Sequence, residues 1–176
     1  MFAQYGRLMA DALTLVRVMM SVSLIWLGIN GGAQSLPFTI LILLIAWLTD
    51  VFDGILARRA LSKEPSWIGK HEDIADMTMS LGVLGYLAFS GLISALITAI
   101  LGFVILALWL YAYPLAWPFY AIPYVILMVY AFQNTPFYGW LMIAYLVIAL
   151  VMRGPRLLRE YLPLLMHTLR HPRQKR

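Results

Sequence analysis

From Met77 through Met152 the sequence contains no Asp, Glu, Lys, Arg or His. One helix crosses the hydrocarbon of a bilayer with about 20 residues, so this run holds roughly three crossings and most of another. Turn-forming residues divide it at Phe89-Ser90-Gly91, at Tyr113-Pro114 and at Gln133-Asn134-Thr135-Pro136. Upstream, an apolar span near residues 10–30 ends at Asn30-Gly31-Gly32, and Pro37 to about Ala60 form the next. The expectation is an all-α polytopic membrane protein with six transmembrane helices, near 10–30, 37–60, 71–89, 91–112, 116–133 and 136–153. The whole chain agrees with that placement. It is 62% hydrophobic and only 12% charged, about half the charged share of a soluble globular domain. It has no cysteine, which excludes disulfides and thiolate metal sites.

Charge placement tests the count. Six crossings put both termini on one side, with Arg7, Arg58, Arg59, Lys63, Lys70 and the basic run from Arg153 to Arg176, while the opposite loops near 31–36, 90 and 134 carry no charge. That is the positive-inside pattern, with both termini cytoplasmic. Arg7, Arg17, the apolar Met19–Leu27 and Gly31-Gly32-Ala33 loosely imitate a cleavable signal peptide, but cleavage would leave five crossings and spoil the charge balance. Past Gly154-Pro155, the leucines Leu157, Leu158, Leu162, Leu165 and Leu169 alternate with Arg156, Arg159, Glu160 and Arg170. This reads as an interfacial amphipathic helix kinked at Pro163, whose basic residues meet anionic lipid headgroups rather than nucleic acid. The chain thus divides into a transmembrane domain, 1–155, and a basic cytoplasmic tail, 156–176.

Six of the eight acidic residues lie between positions 50 and 76: Asp50, Asp53, Glu64, Glu72, Asp73 and Asp76. A carboxylate at membrane depth costs about 2.5–3.5 kcal/mol on insertion scales, and two of them one turn apart also repel. A cation bound between them removes both penalties. Asp50 and Asp53, at i and i+3, share one helical face, and Asp73 and Asp76 repeat the arrangement at the start of the third helix. A connecting loop of about ten residues favours antiparallel neighbours, which brings the acid-bearing ends together. Carboxylates converging from two helices make a hard-oxygen site suited to Mg²⁺ or Mn²⁺. Two such ions can clamp the attacking and leaving oxygens of a phosphoryl displacement. The simpler reading pairs these acids with Arg58, Arg59, Lys63 and Lys70 as interfacial salt bridges, but Gly54 and Ala57 on the acid-bearing side leave room for a ligand, and Arg58 follows one turn later.

The run Asp50-Val-Phe-Asp53-Gly54-Ile-Leu-Ala57-Arg58, followed by Gly69 and Asp73, resembles the signature of CDP-alcohol phosphotransferases, D-x2-D-G-x2-A-R-x(8–9)-G-x3-D-x3-D. Leu13-Thr14-Leu15-Val16-Arg17 is similar to the family's usual start. The second half departs from the pattern: ten residues separate Arg58 from Gly69, and Met77 stands where the family has its last aspartate, the acid here being Asp76. A second register pairs Glu72 with Asp76. The resemblance implies a two-metal transferase in which Asp50, Asp53, Asp73 and Asp76 hold Mg²⁺ or Mn²⁺, with Glu72 as the alternative. Asp50, Gly54, Ala57, Arg58 and Gly69 would line the CDP site, and Asp76 would take the proton of an acceptor hydroxyl that expels CMP. It also suggests a homodimer.

Size and N-terminal pattern are similar to phosphatidylglycerophosphate synthases, which implies CDP-diacylglycerol as donor, glycerol 3-phosphate as acceptor, and the cell membrane of a prokaryote. Arg153, Lys70, Arg17 and Arg156 are the candidate cations for an acceptor phosphate, Arg153 and Lys70 foremost, although each also serves as a membrane anchor. The 113–116 loop has no basic residue, which keeps a neutral acceptor such as serine, inositol or another lipid open. Two accounts from other classes compete: an inactive homologue, motivated by Met77, and a small membrane transporter, since intramembrane acids also build ion routes.

Overall fold

The computed structural model describes residues 2–59, 72–111 and 113–156, with side chains described for 8–52, 73–111 and 115–151. Among the described residues there are six α-helices and no strand: α1 (Phe2–Gly31), α2 (Leu36–Arg59), α3 (Glu72–Phe89), α4 (Ala95–Tyr111), α5 (Tyr113–Asn134) and α6 (Pro136–Arg156), with one 3₁₀ turn, Gly32–Ser35. The chain divides into two compact units, Met1–Ser94 and Ala95–Arg176. The proposed tail helix beyond Arg156 lies outside the described residues.

In the first unit, α1 packs against both α2 and α3. Its buried stripe is Ala10, Thr14, Arg17, Ser21, Leu24 and Gly28, the spacing of one helical face. The opposite face is no more polar: Leu15, Met19, Val22, Trp26 and Ile29 are exposed. A helix apolar all round, with large side chains on its outside, suits hydrocarbon rather than water. Helix α2 repeats the design, with Leu36, Thr39, Ile40, Leu43 and Ala46 buried and Phe38, Leu41, Ile45 and Leu48 outside. By length and hydropathy, Leu8–Phe52 and Leu115–Asn134 qualify as membrane spans among the described residues; Ala95–Tyr111 and Pro136–Val151 are shorter apolar helices. Leu8–Phe52 is 45 residues long and includes the 3₁₀ turn, so it comprises two packed helices, not one.

The turns follow from local chemistry. Gly32 has φ +55°, a left-handed conformation that glycine takes without a Cβ penalty. The Ser35 hydroxyl lies 2.7 Å from the Gly32 carbonyl and 3.1 Å from that of Leu27, and the Tyr86 hydroxyl donates to Gly32 at 3.3 Å. Helix α3 closes on a Schellman motif: Gly91 has φ +76°, its N–H donates to Ala88, and the N–H of Leu92 donates to Leu87. The sequence places the fourth helix from 91; it starts instead at Ala95, because this motif and the bends after it occupy 90–94. Helix α1 also begins well before residue 10, since hydropathy marks the apolar part of a helix and not its hydrogen-bonded end.

In the second unit α5 packs against α4 and α6. Ile105, Ala116, Tyr120, Leu127, Ala131 and Met142 are buried. Thr135 alone separates α5 from α6, with Pro136 at the first helical position, where its missing N–H costs nothing. Phe132 meets Trp140 edge-to-face, ring centroids 5.5 Å apart, and a Cβ on Gly139 would lie 3.0 Å from the Phe132 ring.

Candidate active site

The three helices of the first unit run alternately, so the 31–36 turn lies at one end, and Arg17 in the middle of α1 comes level with Asp50 of α2 and Asp76 of α3. Asp50 continues the inward stripe of α2 beyond Leu43 and Ala46, and it is half-buried. Asp76 lies on the first turns of α3. Between them stands Arg17 of α1. Its Nη1 donates to Asp50 Oδ1 at 2.6 Å and to Asp76 Oδ1 at 3.1 Å. The arginine side chain is 3% exposed, against 24% for Asp50 and 41% for Asp76.

Why these groups meet is set by how α1 touches its neighbours. Among the described residues the main packing in this unit is of α2 and of α3 upon α1, so the helix shared by both carries the cation that bridges them. The approach of α1 to α3 is close because small residues line it. A Cβ on Gly82 would fall 2.7 Å from the Ser21 carbonyl oxygen, and one on Gly28 would fall 3.0 Å from Tyr86 Cα. Backbones this near bring a guanidinium on one helix within reach of a carboxylate on the other.

Nη1 of Arg17 reaches carboxylates from two separate helices, and their Oδ1 atoms converge on that nitrogen. The two converging oxygens are hard donors, of the kind that suit Mg²⁺ or Mn²⁺. Among the described residues no three acidic or histidine side chains gather into a cage; two converge. Asp73 is half-buried one turn earlier on α3. Asp53, Gly54, Ala57 and Arg58 belong to α2, Glu72 opens α3 and Arg153 belongs to α6, but their side chains lie outside the described residues. Gly69 and Lys70 lie outside them altogether. Met77 is buried.

Arg17 is the residue whose part the linear sequence understates. It reads there as part of a family-like start and as one phosphate-binding or anchoring cation among several. The signal available was its position: an arginine in the middle of an apolar helix, on the stripe Ala10-Thr14-Arg17-Ser21, is a charge that lipid does not solvate and that must meet partners inside the bundle.

Neither the curated proteins nor the solved structures gave a match to the chain. The family model for CDP-alcohol phosphatidyltransferases matches residues 7–154, a span that takes in Arg17, Asp50 and Asp76 together with the whole Asp50–Arg58 run. This membrane-embedded family transfers a phosphatidyl group from a CDP-alcohol to an alcohol and generally depends on a divalent metal. With the family's motif carried on two helices whose acids converge, the chain belongs to the CDP-alcohol phosphatidyltransferase family.

Proposed function

We propose that the protein transfers a phosphatidyl group from CDP-diacylglycerol to the hydroxyl of a small polar alcohol, with glycerol 3-phosphate as the first candidate and CMP as the leaving group. The observation that carries this reading is the convergence of Asp50 and Asp76 on one cationic atom, with Asp50 opening the D-x2-D-G-x2-A-R run. In this reading Asp50, Asp53, Asp73 and Asp76 form the carboxylate cage, and Glu72 is the alternative to Asp73. Gly54, Ala57, Arg58 and Gly69 join Asp50 around the cytidine diphosphate. Bound there, two Mg²⁺ or Mn²⁺ ions would offset the charge of the donor pyrophosphate.

Asp76 receives the proton of the acceptor hydroxyl as its oxygen forms a bond to the donor's distal phosphorus. The bond from that phosphorus to the CMP oxygen breaks, and CMP leaves with the electron pair. The half-exposed setting of Asp76 suits proton transfer to a soluble acceptor. Arg153 and Lys70 are assigned to the acceptor phosphate. The absence of basic residues from 113–116 favours a second reading, in which the acceptor is a neutral alcohol such as serine, inositol or another lipid. The surrounding architecture is six crossings of a prokaryotic cell membrane with both termini cytoplasmic, a catalytic domain over 1–155, a basic interfacial tail over 156–176, and assembly as a homodimer.

The test is CMP release from radiolabelled CDP-diacylglycerol by purified protein in lipid nanodiscs with Mn²⁺, across a panel of glycerol 3-phosphate, serine and inositol. Turnover with glycerol 3-phosphate supports the first acceptor, and turnover with a neutral alcohol alone moves the assignment to the second. No CMP with any of them, or undiminished CMP in the presence of chelator, sinks the reading.

A further inference from the structure

We infer that Arg17 is a built-in substitute for the divalent cation: it holds Asp50 and Asp76 together in the metal-free protein and competes with metal for the same two oxygens. The inference rests on the metal-binding reading of Asp50 and Asp76 given above. Its basis is geometric. Nη1 lies 2.6 Å from one Oδ1 and 3.1 Å from the other. Mg²⁺ binds oxygens at about 2.0–2.1 Å in a near-ideal octahedron, so a metal ion shared by these two oxygens and the Arg17 nitrogen exclude each other from one position.

The burial of Arg17 makes the competition consequential. With 3% of its side chain exposed, the guanidinium is not dissolved by water when a metal displaces it. Its charge stays close to the incoming ion and opposes it, at short range and in a medium that screens poorly. The same burial explains what Arg17 contributes before metal arrives. Asp50 and Asp76 sit on different helices, both docked on α1. Two half-buried carboxylates with no cation between them would push those helices apart, and the guanidinium holds the two halves of the site in place until the site is loaded.

The experiment compares full-length wild type, Arg17→Gln, Arg17→Lys and Asp50→Asn in nanodiscs, with free Mn²⁺ counted by electron paramagnetic resonance in the absence of any donor lipid. Arg17→Gln binds Mn²⁺ about tenfold more tightly or better. It melts below wild type without metal and recovers most of the difference at saturating Mn²⁺. Arg17→Lys keeps the charge and therefore binds Mn²⁺ less tightly than Arg17→Gln does. Unchanged or weaker Mn²⁺ binding by Arg17→Gln, while Asp50→Asn loses binding, overturns the inference and leaves the metal reading standing. If neither wild type nor Arg17→Gln binds Mn²⁺, or if Asp50→Asn binds as wild type does, the metal reading falls and this inference with it. A second measurement avoids dependence on the Gln variant folding. In ¹⁵N-arginine-labelled wild type, the guanidinium resonance missing from Arg17→Lys shifts in step with Mg²⁺ occupancy. A resonance unmoved as Mg²⁺ binds overturns the competition.

Discussion

A Cβ on Gly82 of α3 would lie 2.7 Å from the carbonyl oxygen of Ser21 on α1, so these two helices meet through their backbones one turn from Arg17. That contact sets the axial position and rotation at which Arg17 finds Asp76. Gly82→Ala would force the backbones apart, an overpacking cost of about 1–3 kcal/mol, and would lengthen the Arg17–Asp76 pair. Gly85→Ala meets only the Ile25 side chain, which can move. The expected order of melting temperature in detergent is wild type, then Gly85→Ala, then Gly82→Ala. Equal stability of the two variants would show that the close approach is not a constraint.

The register of the third helix is testable by single substitutions. Asp76→Asn removes the carboxylate that Arg17 reaches, and CMP release should fall about 10²–10³-fold or more, the scale of losing a charge-stabilising group in a site. Glu72→Gln should stay within a few-fold of wild type. Moving the acid to the family's usual position, with Asp76→Met and Met77→Asp together, should not restore activity: position 77 is turned about 100° around the helix, away from Arg17, and Met77 is buried. Recovery in that double variant would assign the acid role to 77 and refute the shifted register.

Asp50→Asn tests the ion pair as a structural element as well as a metal ligand. It leaves a buried guanidinium with a weaker partner on α2. Breaking one side of a buried charge pair costs about 3–5 kcal/mol, and the loss here is smaller because Asp50 is partly exposed and the Asp76 contact remains. Thermal unfolding should show the loss without metal present. A melting temperature unchanged within a degree would mean the pair contributes nothing to the bundle.

At the opposite end of the same unit, Tyr86 provides a control. It is fully buried, and its hydroxyl donates to Gly32 at 3.3 Å, ten residues or about 15 Å along α3 from Asp76. Tyr86→Phe should cost about 0.5–1.5 kcal/mol in stability while leaving the KM for CDP-diacylglycerol unchanged. A several-fold rise in KM would show that the far turn is coupled to the site.

The membrane topology can be read directly, since the chain has no cysteine of its own. Single cysteines at Ser90 and Asn134 should react with an impermeant maleimide on intact cells, and those at Lys63 and Lys175 only after lysis. Labelling of Lys63→Cys in intact cells would invert or break the six-crossing arrangement.

Much of this was legible along the chain. The breaks at Gly31-Gly32, Ser90-Gly91 and Thr135-Pro136 coincide with observed helix ends because glycine and proline act through their own backbones. The Asp50–Arg58 run announced the family because its residues are consecutive on one helix. The shifted acid was also visible, as Asp76 beside Met77, but periodicity alone left Glu72, Asp73 and Asp76 as alternatives.

What the sequence determined by itself, then, is what depends on neighbours within a turn or two: apolar helices, the uncharged turns near 31–36, 90 and 134, and the carboxylate pairs Asp50/Asp53 and Asp73/Asp76. Only the tertiary structure decided that Arg17 of α1 stands between Asp50 of α2 and Asp76 of α3. That meeting joins residues 33 and 59 positions apart, and it depends on the rotation and depth of three helices at once. Those are set by backbone contacts such as Gly82 against Ser21, where the absence of a side chain carries the information and no pattern of side chains along one helix displays it.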